Sequence, residues 1–92
     1  VWIGDVDAEV AATTAAGIPR CRAAYLDVTQ RSSWDRFIAD AVGESGSIDI
    51  LVNNAGVMPL GAFDSEPETT TDLILDVNVR GVLNGMRAVV PS

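Results

Sequence analysis

Three short apolar runs, each followed by a helical pattern, constrain this chain more than any other feature of its 92 residues. Val1-Trp2-Ile3 runs into Gly4-Asp5, a second run extends from Cys21 to Val28, and a third from Ile48 to Val52. Each is short, continuous and rich in apolar side chains, as strands buried on both faces are. Strands separated by helices predict βαβ units and a parallel sheet, with right-handed crossovers. The expected fold is therefore α/β, part of a Rossmann-like doubly wound parallel sheet with three strands and three helices.

The helices carry their own punctuation. Asp7 is placed to cap an Ala-rich helix from Ala8 to about Ala16, which Gly17 and Pro19 stop. Trp34, Phe37, Ile38, Ala41 and Val42 fall at i, i+3, i+4, i+7 and i+8, one face of a second helix that Gly43 and Gly46 end. Ser32 with Asp35 three residues on is a weak capping signal for it. A loop with Pro and Gly follows from Met58 to about Pro67, and a long helix is predicted from about Thr70 to Val90. Open parallel sheets bind ligands beyond the carboxyl ends of their strands. Here those ends carry Asp5, Asp27 and the turn Asn53-Asn54-Ala55-Gly56, so one sheet edge forms a candidate cleft.

Composition narrows the partners. The hydrophobic fraction of 48% and charged fraction of 21% read as globular. The net charge is −7, there is no Lys, and the six Arg are scattered, which argues against nucleic acid and against an anionic membrane surface. No apolar run approaches the ~20 residues of a membrane span. With no His and one Cys, no zinc site of the usual kind is expected, and no metal site is assigned. The lone Cys21 fits a reducing cytoplasm.

The four-residue turn after the third run is the most informative segment. Two adjacent amides offer donors and acceptors that can cross-link strand ends, and Ala and Gly let a flat ligand approach the backbone. Asn and Gly are also common in ordinary strand-to-loop turns, so the turn alone is not specific. Its context is. Ile48-Asp49-Ile50-Leu51-Val52-Asn53-Asn54-Ala55-Gly56 closely resembles the fourth-strand signature of the short-chain dehydrogenase/reductase family. Gly4-Asp5 resembles the end of that family's second strand, Leu26-Asp27-Val28-Thr29 the end of its third, and Asp76-Val77-Asn78-Val79-Arg80-Gly81 the segment with its helical Asn. The four motifs stand in family order and span nearly the whole chain.

That resemblance implies a dinucleotide site. Asp5 would accept hydrogen bonds from the adenosine ribose hydroxyls, and no basic residue follows it to balance a 2′-phosphate, so NAD is the expected cofactor. Asp27 and Val28 resemble the pair that holds the adenine, a carboxylate facing the exocyclic amine and an apolar wall; Asp27 would equally cap the next helix through Thr29. Asn53, Ala55 and Gly56 complete the expected cofactor-binding residues. Asn78 is the expected catalytic residue, since the matching Asn holds a water or backbone group in the proton relay at a local break in the helix. Asn is a poor helix former, and a solvent-facing role fits badly between Val77 and Val79. Asn84 competes for this role but lacks the motif.

The family also needs a Tyr with a Lys four residues later and a Ser that orients the substrate. The one Tyr here, Tyr25, lies in a strand run and is followed four residues on by Thr29. The Gly-rich turn that receives the pyrophosphate is missing too. The chain is accordingly expected to be an internal piece of one dinucleotide-binding domain spanning 1–92, without the first strand and the C-terminal half, and inactive alone. The intact protein is expected to be an NAD-dependent oxidoreductase passing a hydride between nicotinamide and a secondary alcohol or ketone. The alternative is a non-catalytic dinucleotide-binding sensor on the same fold. Excess apolar residues on the long helix, with Gly81 and Gly85 at i and i+4, suit either homo-oligomer contact, as in the family, or burial within a larger domain.

Overall fold

The computed structural model describes residues 1–91. Strand β1 (Trp2–Asp5) leads into helix α1 (Ala8–Ala16) and returns as strand β2 (Arg22–Tyr25), parallel to β1, with Trp2 opposite Arg22 and Asp5 opposite Tyr25. This is the expected βαβ unit. Asp7 caps α1 as its position predicts: its Oδ1 accepts the backbone N–H groups of Glu9 and Val10, both at 3.1 Å.

Helix α2 (Arg31–Ser45) lays its apolar stripe on the sheet. Trp34, Phe37, Ile38 and Ala41 are all buried, and the core that the first three form with Leu26 and Ala88 is flanked by Trp2, Ala24, Val28, Ile48 and Leu51. Trp2 and Trp34 both meet Phe37 edge-on, with ring centroids 6.1 and 6.3 Å away. The helix is not capped by Ser32. It starts from Gln30, whose carbonyl accepts from Ser33 and Trp34 N–H. The Asp27 turn feeds it instead, through Gln30 N–H to the Asp27 carbonyl at 3.1 Å.

Two expectations about strands need correction. The second strand ends at Tyr25, not Val28. Leu26 N–H makes the last rung, 3.0 Å to the Asp5 carbonyl, and the chain then turns toward the C-terminal helix. The third strand expected at 48–52 does not form, and among the described residues the sheet has two strands, β1 and β2. A ladder needs a neighbour at about 4.8 Å, and among the described residues none makes a ladder with 48–52. Ile48 and Leu51 hold the segment by packing on the core, while Ile50 and Val52 stay exposed.

The expected long helix starts two residues earlier and is interrupted. After a 3₁₀ turn at Phe63–Ser65 come helix α3 (Glu68–Leu75), a π-helical turn at Asp76–Arg80 and helix α4 (Gly81–Val89). π turns inside helices are rare and frequent at functional sites, and this one contains Asn78. No helix among the described residues is long and apolar enough to cross a membrane.

Candidate functional site

The site is built at the carboxyl edge of β1 and β2. Asp5 ends β1, and its carbonyl is joined to Leu26 N–H, so Asp27 lies just past the same edge. Each carboxylate shapes its own turn. Asp5 Oδ1 accepts Asp7 N–H at 2.9 Å. Asp27 Oδ1 accepts both the N–H and the hydroxyl of Thr29, at 3.0 and 2.7 Å, an Asx turn just ahead of α2; it does not cap that helix as expected, since its N-cap Gln30 has no side-chain cap bond. Asp27 N–H donates to the Ser33 hydroxyl at 2.9 Å. Both residues are half-buried, with each Oδ1 committed to the turn.

Val28 is held from two helices. Its carbonyl accepts two side-chain donors, Trp34 Nε1 and Asn84 Nδ2, both at 3.1 Å. Its side chain nests against Gly81, where an added Cβ would lie 2.7 Å from Val28 Cγ2. The turn 53–56 meets the other end of the same helical rod. A Cβ at Gly85 would fall 2.8 Å from Asn53 Oδ1 and 2.7 Å from the Trp34 ring. Helix α4 thus approaches both the Val28 turn and Asn53 through its glycines.

Asn78 makes a two-point contact with Val57, the residue after the turn: Nδ2 donates to the Val57 carbonyl and Oδ1 accepts its N–H, each at 2.8 Å. The amide is exposed, yet both its ends are occupied by one backbone unit. Gly56 differs from Gly81 and Gly85. An added Cβ there would find only Asn78 Oδ1 at 3.5 Å and Asn54 O at 4.0 Å, ordinary contacts. Nothing inside the described residues requires glycine at 56, and its open side faces outward. Ala55, Asn53 and Asn54 are exposed beside it.

The chain matches the short chain dehydrogenase family over residues 2–92. It belongs to that family. It is 41% identical over 91 residues to the 3-alpha-(or 20-beta)-hydroxysteroid dehydrogenase of Mycobacterium tuberculosis, covering 98% of this chain and 35% of that protein. It is 42% identical over 90 residues to the sorbitol dehydrogenase of Cereibacter sphaeroides, covering 97% and 35%. Among solved structures, the Pseudomonas aeruginosa RhlG/NADP active-site complex superposes with a TM-score of 0.89 at 30% identity, covering 99% of this chain and 37% of that one. The chain therefore spans about a third of the length of the short-chain dehydrogenases it matches. The superposition covers the segment at 48–52 as well, although it has no ladder here.

Asn84 lies on the buried face of α4. It is the one polar residue among the buried positions of the described chain, and it points to Val28 rather than to the Asn78 contact. The signal was present: Gly81, Asn84, Gly85 and Ala88 recur at i, i+3, i+4 and i+7 and are all buried. A stripe of small residues marks a close-packed helix face. The close approach allowed by Gly81 and Gly85 goes to Val28, Trp34 and Asn53 of the same chain. The exposed apolar side chains of this region are Leu73, Leu75, Val79, Leu83, Met86 and Val90.

Proposed function

We propose that these residues form the adenosine half of a nicotinamide site in an NAD-dependent dehydrogenase that acts on a secondary alcohol or ketone. The observation that carries the reading is Asp5. It sits at the carboxyl end of β1, one rung from the Asp27-Val28 turn, and is followed by Val6, Asp7, Ala8, Glu9 and Val10, none of them basic. The hydroxysteroid and sorbitol dehydrogenase relatives support an alcohol or carbonyl substrate.

The residues fit such a group. The Asx turn at Asp5 fixes its carboxylate through Oδ1 and leaves Oδ2 as an acceptor for ribose hydroxyls. Val28 offers an apolar wall for adenine, with its backbone anchored by two donors. Gly56, which the packing does not require, leaves room for close approach of a flat ring. When bound, the dinucleotide supplies the hydride acceptor or donor. Asn78 holds Val57 at both backbone atoms and so sets the loop that carries Ala55 and Gly56; its share in the proton relay is a positioning one. The exposed helix residues, Leu73 to Val90, are assigned to contact within a homo-oligomer of the whole protein.

The test is cofactor choice in the whole protein carrying this chain. A hydrogen bond to a charged group contributes about 1.5–3 kcal/mol, or about 10- to 150-fold in affinity. NADP replaces one ribose hydroxyl by a phosphate facing the Asp5 carboxylate, adding like-charge repulsion. NAD is expected to bind at least about tenfold tighter, a preference removed or reversed by Asp5→Ser with Val6→Arg. Dissociation constants measured for both cofactors in both proteins decide it. Equal binding by the unsubstituted protein would remove the role given to Asp5.

A further inference from the structure

We propose that Asn84 is a positioning residue for cofactor binding: from the buried face of α4 it holds the Val28 backbone, and through it the wall against which the adenine stacks. The inference rests on the reading of Val28 as that wall and adds the residue that sets it. Asn84 is 7% exposed, in a helix where Asn carries an intrinsic cost relative to Ala. Buried polar side chains need a partner. Asn84 Nδ2 finds one 56 residues away in sequence, the Val28 carbonyl. That carbonyl is already served by Trp34 Nε1 at 3.1 Å, so the turn does not need Asn84 merely to avoid an unpaired group. A carbonyl has two lone pairs, and both are used here.

What the second donor adds is direction. Trp34 belongs to α2, the helix that Val28 leads into, and its bond spans six residues. Asn84 belongs to α4, the same rod whose Gly85 meets Asn53 and whose preceding π turn carries Asn78. The Asn84 bond therefore ties the Asp27-Val28 end of the edge to the helix that also contacts the 53–57 end. Gly81 completes the seat by admitting the Val28 side chain.

The variant that isolates this role is Asn84→Leu, with the same γ-branched outline, which removes the donor and leaves the Val28 carbonyl paired to Trp34. In the whole protein, dissociation constants are measured for NAD and for nicotinamide mononucleotide, which lacks the adenosine half. Asn84→Leu is expected to weaken NAD about three- to tenfold, the effect of one lost hydrogen bond, and to leave mononucleotide binding unchanged. A merely structural role would weaken both alike or neither, and either result overturns the inference. If Asn84→Leu does not fold, Asn84→Ala removes the same donor without adding bulk and is expected to give the same split; equal losses there overturn it. A protein that binds NAD no tighter than the mononucleotide refutes the adenosine-site reading itself. A preference for NAD that survives in full in both variants refutes only the part given to Asn84.

Discussion

Gly85→Ala sets two opposing effects against each other at one position. Alanine in a helix interior is favoured over glycine by about 0.8–1 kcal/mol. Against this, the new Cβ would lie 2.7 and 2.8 Å from Trp34 Cζ2 and Cη2 and 2.8 Å from Asn53 Oδ1. Carbon atoms rest about 3.5–4.0 Å apart, so the ring must retreat by roughly 1 Å. Trp34 has little freedom to do so. It is 3% exposed, bonded through Nε1 to Val28 and packed edge-on against Phe37. Overpacking of this kind costs about 1–3 kcal/mol. Gly43 in α2 is the internal control, since an added Cβ there meets nothing within 4 Å. Gly43→Ala is expected to gain most of the helix preference, and Gly85→Ala to fall below it by about 1–3 kcal/mol. Urea unfolding of the whole protein, with midpoints compared at constant slope, measures the difference. Equal stability of the two variants would mean that α4 does not lie this close to Trp34, and the packing argument would fail.

Asn78→Ala deletes both bonds to Val57 and is expected to lower turnover more than it weakens NAD binding; steady-state kinetics beside cofactor titration check the split, and unchanged turnover would count against a relay role for Asn78. Asp7→Ala removes the acceptor for two α1 N–H groups and is expected to cost about 1 kcal/mol in chemical unfolding. Glu44→Ala breaks a 2.7 Å pair with Arg22 whose side chains are 65% and 46% exposed, so its effect on the same assay is expected to stay under about 1 kcal/mol and to shrink further in salt.

The contrast among these sites reflects what a linear pattern encodes. Helical periodicity is local, so the stripe from Trp34 to Ala41 could be read directly and is buried as read. The Asp7 cap needs only the residues beside it. The strand run at 48–52 is different. Its apolar residues state that it can pair, but pairing is a property of two segments, and among the described residues no ladder includes it. Likewise, apolar content extended the second strand to Val28, whereas the chain leaves the sheet at Tyr25, because two side-chain donors from α2 and α4 hold the Val28 carbonyl in a turn.

Family membership and the βαβ order were legible from residue types at fixed spacings, because each motif is contiguous. The partners were not. Asn78 and Val57 are 21 residues apart, Asn84 and Val28 are 56 apart, and no periodicity links such pairs. Only the folded chain could assign Gly81 and Gly85 to contacts with Val28, Trp34 and Asn53, since a glycine in a helix announces that something lies close without saying what. It also divided the two helical asparagines: the π turn places Asn78 against Val57, while the small-residue face of α4 buries Asn84 against the Asp27-Val28 turn.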